Sequence, residues 1–136
     1  MKWKRSERLV DMTQYLMEHP HKLIPLTYFA NLYQSAKSSI SEDLTIVKET
    51  FEARGRGLLV TVPGAAGGVK FIPTVAEEDV LEIAEDLMTQ LSKVDRLLPG
   101  GYLYMTDLLG NPSLMNKIGK VFASAFANSK IDAIMT

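Results

Sequence analysis

Basic and small hydroxyl side chains concentrate in the first half of the sequence, and their types suit the binding of nucleic acid. Cations neutralise phosphates without reading sequence and make affinity fall as salt rises, whereas short hydroxyl side chains can approach base edges. The predicted phosphate-binding residues are Lys2, Lys4, Arg5, Arg8, Lys37, Arg54, Arg56 and Lys70. The predicted contacts to bases or phosphates are Ser38, Ser39, Ser41 and Thr45.

The net charge of −1 conceals a difference between the two halves of the chain. Residues 1–74 hold ten Lys/Arg and seven Asp/Glu, a net charge of +3, and residues 75–136 hold five and nine, a net charge of −4. A basic module followed by an acidic one predicts that only the first meets a polyanion. The chain has no cysteine, which excludes disulfides and thiolate zinc sites, and we expect a cytoplasmic location.

Residues suited to catalysis are scarce. His19 and His21 have no further histidine or cysteine to complete a metal set, and no serine has a histidine partner in a plausible position. The glycine-rich run at 64–68 is not followed by the Lys-Ser pair of a phosphate-binding loop. The acidic run at 77–79 fits a helix start, where negative charge is favourable. We therefore expect no enzyme activity, no metal and no cofactor.

Three predicted helices carry most of these basic and hydroxyl residues. Apolar spacing predicts a first helix from Ser6 to the residue before Pro20, and a second with Pro25 at its first position. A capping box at Ser39–Glu42 predicts the start of a third helix, which stops near Gly55. Its predicted apolar stripe is Ile40, Leu44, Val47 and Phe51.

A hairpin follows the three helices. Branched residues at 58–62 and 69–72 predict two strands, and the glycine-rich run between them predicts a tip that could approach a minor groove or the backbone. Three helices followed by a hairpin predict a winged helix-turn-helix over residues 1–74, in an α+β protein.

The remainder, residues 75–136, is predicted to contain two longer helices and two strands. A capping box at 74–77 predicts a connecting helix through Val94, and Asn111-Pro112 is predicted to cap a helix through Phe126. The residues of that helix predicted to face inward are Leu114, Ile118, Val121, Phe122 and Ala125. A short strand is predicted at 102–105, and the apolar run at 131–135 predicts a buried parallel strand. Because a lone parallel strand cannot cover its own edges, we expect that a larger α/β domain was cut off here.

Other functions fit the same pattern. Glu42 and Glu49 lie on the outward face of the third predicted helix and would repel phosphate, so that helix depends on its basic flanks. A helix-turn-helix with a hairpin can also serve as a protein-docking domain. The helices at 76–94 and 112–127 could form a dimerisation scaffold, since their apolar stripes fit an interface as well as a core.

Several blocks of the sequence resemble the purine operon repressors of low-GC Gram-positive bacteria. The resemblance runs from end to end, and the blocks at 36–43 and 61–69 are specific. The blocks that carry it are Arg8–Asp11, His19–Thr27, Ala36–Asp43, Thr61–Val69, Leu97–Tyr102, Asn111–Leu114 and Lys117–Lys120.

The resemblance implies a homodimeric repressor of purine biosynthesis genes that binds operator DNA through its N-terminal winged helix. It also implies a C-terminal domain with the type I phosphoribosyltransferase fold that acts as a sensor and not as an enzyme. Phosphoribosyl pyrophosphate would bind there and relieve repression, with guanosine tetraphosphate as a competitor for the pocket. An active phosphoribosyltransferase is the least favoured alternative, since no catalytic loop is visible.

The sequence departs from this family in its second half. The pyrophosphate-binding signature, an apolar strand followed by two acidic residues and a small Gly/Thr-rich loop, is absent from residues 1–136. On the resemblance, residues 75–136 would therefore be the connecting helix and the start of the phosphoribosyltransferase-like domain. Tyr102, preceded by Gly100 and Gly101, is the one candidate for a contact to an effector, through its ring or backbone amides, and packing at the start of a strand is the alternative.

Overall fold

The computed structural model describes residues 3–135 and divides into two units, each with its own internal contacts. Unit 1 ends at Pro73 and unit 2 begins at Thr74. Lys2, one of the predicted phosphate contacts, lies outside the described residues.

Unit 1 contains three helices and a three-stranded antiparallel sheet, in the order α1-β1-α2-α3-β2-β3. In the sheet β3 lies between β1 and β2. The predicted helices and hairpin are present, each within a few residues of its predicted ends. The elements are α1 (Arg5–Glu18), β1 (Leu23–Ile24), α2 (Leu26–Tyr33), α3 (Lys37–Ala53), β2 (Gly57–Val62) and β3 (Gly68–Pro73).

The predicted capping box at the start of α3 is wrong. The helix begins at Lys37, with Ala36 at the cap position and no side-chain cap, so Ser39 already lies in the first turn. The three-residue turn from α2 explains the earlier start. Gln34 takes a left-handed conformation, with a φ of 50°, and its backbone N–H donates to the last turn of α2. This places Ala36 where its carbonyl accepts from Ile40 N at 3.1 Å.

One closed apolar core holds unit 1 together. The predicted stripe of α3 (Ile40, Leu44, Val47 and Phe51) is buried, and so are Leu59, Val69 and Phe71 on one face of the sheet. Phe29, Met12 and Leu16 from the other two helices are fully buried. Burying each such side chain contributes about 1.5–3 kcal/mol, so this core fixes the position of α3 against the sheet and α1.

Strand β1 was not predicted. It pairs Leu23 with Lys70 and Ile24 with Val69, and two residues are too short for an alternating pattern to be visible in the sequence. Gly68 allows this pairing, because a Cβ atom at that position would overlap the carbonyl oxygen of Ile24.

Unit 2 contains helices joined by a small hairpin. Asn111 caps α6 as predicted, and its side-chain oxygen accepts hydrogen bonds from the backbone N–H groups of Ser113 and Leu114 at 3.0 and 3.2 Å. The elements are α4 (Glu77–Leu91), a 3-10 turn (Val94–Arg96), β4 (Leu97–Leu98), β5 (Tyr102–Leu103), α5 (Thr106–Leu109) and α6 (Pro112–Ala125).

Three predictions for unit 2 are wrong. α4 begins at Glu77 with Ala76 at the cap position and without a side-chain cap, so the predicted capping box does not form. Phe122 and Ala125, predicted to point inward, are exposed, Phe122 to 62%. Residues 131–135 form no strand and are all exposed. A parallel strand needs neighbours to satisfy its backbone, and the only strands among the described residues of unit 2 are the two short ones of the hairpin.

Candidate nucleic-acid interface

The first two turns of α3 present most of the predicted base-contacting residues together. Lys37, Ser38, Ser41 and Thr45 are exposed. At 100° per residue, Ser38 and Thr45 project from the side opposite the buried stripe and Ser41 projects roughly at right angles to it. The Thr45 hydroxyl donates to the Ser41 carbonyl at 3.0 Å. Ser39 is half-buried and projects toward one flank of that face. The N-terminal end of α3 therefore offers one cation and three hydroxyl groups on an open surface.

The rest of the same helix face is acidic. Glu42, Glu49 and Glu52 are exposed, and Glu52 lies 3.9 Å from Lys48. Because carboxylates repel phosphates, α3 cannot lie along a nucleic-acid backbone over its whole length. Only its N-terminal segment, from Lys37 to Thr45, is suited to approach, which is also how recognition helices commonly contact base edges.

The basic start of α1 is largely engaged within the protein. Arg8 donates from Nε and Nη2 to Asp43 Oδ2 at 2.9 and 2.8 Å, and Arg5 donates from Nε to Asp43 Oδ1 at 2.9 Å. The Arg8 side chain is 13% exposed and that of Arg5 is 54% exposed. Lys4 is exposed; its backbone N–H donates to the Glu7 carboxylate at 2.8 Å and its carbonyl accepts from Arg8 N at 3.0 Å. Arg5 and Arg8 are thus engaged by Asp43, whereas the side chain of Lys4 is exposed at the surface.

Sequence reasoning missed Asp43, although the sequence contains a signal for it. Asp43 lies on the inward stripe of α3, beside Ile40, Leu44 and Val47, and it is 1% exposed. A carboxylate at an inward position of an amphipathic helix requires a cation or several hydrogen-bond donors. The arginines at the start of α1 were the available partners.

The basic residues of the hairpin stems do not share a surface with the start of α3. Arg54 caps the C-terminal end of α3, roughly 25 Å along the helix from Lys37, and Arg56 lies just before β2. Lys70 is half-buried on the sheet face opposite the core, between Val60 and Leu23 in the strand register. The hairpin tip at 63–66 is exposed and contains no charged residue.

In unit 2 the best-fixed polar contact joins Arg96 and Asp107. Two parallel bonds of 2.7 Å link the guanidinium to the carboxylate, and Arg96 also donates to the Tyr104 carbonyl at 3.0 Å. The hydrogen bonds from Arg96 hold the pKa of Asp107 below its usual value, and those same bonds raise the pKa of Arg96. The bidentate pair ties the hairpin base to α5.

Tyr102, the predicted effector contact, starts β5 opposite Leu98 and is 73% exposed. Gly100 and Gly101 have φ values of 91° and 81° and form the turn before it. The ring lies against Gly100, since a Cβ atom there would meet it at 3.2 Å. Tyr102 is therefore accessible.

His19, one of the two histidines considered as metal ligands, packs against the first helix. His19 stacks on Tyr15 with ring centroids 4.2 Å apart, and its Nδ1 lies 2.9 Å from the Tyr15 carbonyl. Among residues 3–135 no three His, Cys, Asp or Glu side chains are placed to hold a metal ion. The described helices include none that combines the length and apolar character needed to cross a membrane.

Unit 1 has the architecture of a winged helix-turn-helix, in which a short turn joins the last two of three helices and a hairpin follows. Residues 4–73 match the family described as "Bacterial purine repressor, N-terminal". The chain belongs to this family.

Relatives extend the similarity to the whole chain. It is 59% identical over 136 residues, 100% of this chain and 48% of the relative, to "Purine biosynthesis transcriptional repressor PurR" of Bacillus subtilis. It is 50% identical over the same span to "Probable purine biosynthesis transcriptional regulator PurR" of Streptococcus pneumoniae, and covers 50% of it. It is 44% identical over 133 residues, 98% of this chain and 49% of the relative, to "Purine biosynthesis transcriptional activator PurR" of Lactococcus lactis. The chain spans about half the length of these relatives.

Proposed function

We propose that unit 1 binds double-stranded DNA in the control regions of purine biosynthesis genes, as the DNA-binding module of a cytoplasmic transcriptional repressor. The observation that carries the proposal is the open surface at the start of α3, where Lys37 accompanies the hydroxyl groups of Ser38, Ser41 and Thr45. Membership of the purine repressor family and the names of the relatives support it. Because relatives are named both repressors and activators, the direction of regulation is part of the proposal.

The geometry favours an approach through the N-terminal end of α3. Lys37 and Lys4 would contact phosphates, Ser38, Ser41 and Thr45 would contact base edges or phosphates, and the uncharged hairpin tip would approach the minor groove or the backbone. Arg54, Arg56 and Lys70 would contact phosphates only where the DNA extends past the far end of α3 or around the hairpin.

Salt titration tests the phosphate contact. We expect purine-operon control DNA to bind more tightly than scrambled DNA, with log affinity falling linearly with log salt. Lys37→Gln should lower the slope by about 0.9 on both DNAs, since one phosphate contact is lost. Lys48→Gln is the matched control, because Lys48 lies on the same helix beside Glu52, and it should leave the slope unchanged. If the affinity of the unmodified protein did not depend on salt and showed no preference for control DNA, DNA binding would be refuted.

A threonine pair tests base reading. Thr45→Ala should reduce the preference for control DNA, by roughly tenfold if the hydroxyl makes a base contact. Thr50→Ala is the control: its hydroxyl also donates to the carbonyl four residues back, at 2.8 Å, but it lies outside the segment from Lys37 to Thr45. The same loss of preference in both variants would mean that a general change in the helix, and not base contact, is responsible.

We further propose that phosphoribosyl pyrophosphate relieves operator binding at a non-catalytic phosphoribosyltransferase-like domain, and that the working protein is a homodimer. The resemblance stated above supports both statements, and Tyr102 is an accessible candidate for a contact to the effector. Calorimetric titration of phosphoribosyl pyrophosphate and of guanosine tetraphosphate into the chain, and into its Tyr102→Ala variant, measures that contact. Identical heats of binding in the two proteins would show that Tyr102 does not contact the effector.

Self-association is the second candidate function. α4 exposes Leu81 and Met88, which are 58% and 68% exposed, and α6 exposes Phe122. Leu81 and Met88 lie seven residues apart, on the same side of α4, and exposed apolar patches often mark interaction surfaces. Sedimentation velocity, together with the DNA titration, distinguishes the scaffold function from DNA binding. A dimer that has no preference for control DNA would favour the scaffold function.

A further inference from the structure

The Asp43 carboxylate forms a buried connection between α1 and α3. Both of its oxygens are used, Oδ1 by Arg5 at 2.9 Å and Oδ2 by two nitrogens of Arg8 at 2.9 and 2.8 Å. Arg5 Nη2 also lies 3.9 Å from the exposed carboxylate of Glu42. Two cations are therefore matched by two carboxylates at this corner.

The position of Asp43 connects this ion cluster to the candidate interface. Asp43 lies two residues from Ser41 and two from Thr45, on the buried side of the same N-terminal segment of α3. Charge-assisted hydrogen bonds have narrow geometric requirements, and a buried carboxylate that loses its partners is strongly unfavourable. The cluster therefore holds the reading end of α3 at a fixed place against the start of α1.

The same bonds change what a polyanion would meet. Arg8 is largely buried with its Nε and Nη2 on Asp43, and Arg5 is half-exposed with its Nε on Asp43. An arginine whose charge is already balanced by a carboxylate releases few counterions when a phosphate approaches. Arg5 and Arg8 thus differ from Lys4 and Lys37, although the sequence alone ranks all four together.

We propose that Asp43 is a positioning residue for specificity: it fixes the reading end of α3 and withholds Arg5 and Arg8 from phosphate. The inference deepens the proposed function and rests on it. Without Asp43 the arginines would strengthen binding to any DNA, and the looser α3 would read sequence less well. With Asp43 in place, affinity depends more on the hydroxyl groups of α3.

The decisive measurement is the effect of Arg5→Gln in two backgrounds. In the otherwise unmodified protein, Arg5→Gln should leave the salt slope on scrambled DNA unchanged, whereas loss of a phosphate contact would lower it by about 0.9. In an Asp43→Asn background the freed Arg5 should contact phosphate, so the same substitution should now lower the slope by about 0.9. A purely structural role for Asp43 would not produce this dependence on background.

Asp43→Asn by itself should raise the salt slope on scrambled DNA and reduce the preference for control DNA by roughly tenfold, the loss that one mismatched base pair causes. Glu49→Gln is the control, because it removes the same charge from the exposed face of α3. It should leave both the slope and the preference close to those of the unmodified protein.

Two results would overturn the inference. One is a fall of about 0.9 in slope for Arg5→Gln alone, which would make Arg5 a phosphate contact. The other is a folded Asp43→Asn variant with unchanged slope and preference. Trp3 fluorescence reports folding of unit 1, and if Asp43→Asn does not fold, the Arg5→Gln result still decides. A lack of sequence preference in the unmodified protein would instead reject the proposed function itself.

Discussion

Unit 1 and unit 2 contain helices of similar length and amphipathic pattern, but the apolar faces of these helices are buried to different degrees. Twelve apolar residues of unit 1 are buried in one cluster, against Leu108 and Leu114 among the described residues of unit 2. No residue of α4 is buried, although its apolar residues recur at helical spacing. The same sequence pattern therefore leads to a closed core in one unit and to half-covered helix faces in the other.

The difference shows which interactions hold each unit. Unit 1 is stabilised mainly by apolar burial, and its ion cluster adds orientation. In unit 2 the Arg96–Asp107 pair and the Asn111 cap are the most closely fitted contacts, while Phe122, Val94 and Leu97 are 62%, 88% and 66% exposed. We expect the two units to respond differently to core truncation, to acid and to helix-stabilising substitutions.

The largest expected effect is that of Phe29→Ala. Phe29 is 0% exposed and packs against Tyr15, Tyr28 and Tyr33. Truncation should lower the free energy of unfolding of unit 1 by about 3–5 kcal/mol. Urea titration followed by Trp3 fluorescence measures it, since Trp3 packs edge-on against Tyr33 with ring centroids 5.3 Å apart. Phe122→Ala in unit 2 should change stability by no more than about 0.5 kcal/mol. Equal losses would contradict the comparison.

An intermediate effect is expected from acid on unit 2. Because the pKa of Asp107 is lowered in the folded state, its pairing with Arg96 contributes stability that is fully present above the ordinary pKa of 3.8. This contribution is lost as the pH falls through the lowered pKa. Asp107→Asn should therefore melt at a lower temperature than the unmodified protein near neutral pH.

The pH dependence of that difference is the test. Thermal melting followed by circular dichroism, from about pH 6 to about pH 3, should show the two melting temperatures converging as the carboxylate is protonated. Other carboxylates titrate in both proteins, so only the difference between the curves reports on Asp107. A gap that is constant over the whole range would show that the pair does not stabilise unit 2 through charge.

The smallest expected effect is a gain in stability. Gly119 lies within α6, and a Cβ atom there would meet nothing within 4 Å. Gly119→Ala should stabilise unit 2 by about 0.5–1 kcal/mol, because alanine lowers the entropy of the unfolded chain and favours the helix. Hydrogen exchange of the α6 amides measures the gain. In unit 1, Gly57→Ala should instead destabilise by about 1–3 kcal/mol, since its Cβ would overlap the Phe71 ring. A stabilising Gly57→Ala would mean that the core of unit 1 is looser than its burial indicates.

Local sequence patterns were sufficient for the helices and the hairpin of unit 1. The α3 stripe from Ile40 to Phe51 and the glycine-rich tip each follow from spacing within a few residues. The first residue of α3 did not follow from spacing, because the left-handed conformation of Gln34 in the preceding turn determines where the helix begins. β1 escaped prediction because a two-residue strand exists only through its pairing with β3.

The sequence was sufficient to predict which residues form the candidate site, but not which of its cations are already paired with carboxylates. Lys37, Ser41 and Thr45 lie where the helical pattern puts them. The engagement of Arg5 depends on Asp43, 38 residues away, and no local pattern reports a contact over that distance. The strand predicted at 131–135 was wrong for a related reason, since apolar character alone does not supply the neighbours that a strand needs.

The two residues of β1 have a mechanical consequence for the hairpin. β1 lies between α1 and α2 along the chain and is hydrogen-bonded to β3. The hairpin is therefore held to the segment that joins these two helices. The Phe71 carbonyl adds a further tie by accepting from His21 N at 2.8 Å. A displacement of the segment between α1 and α2 would therefore displace the stem of the hairpin as well.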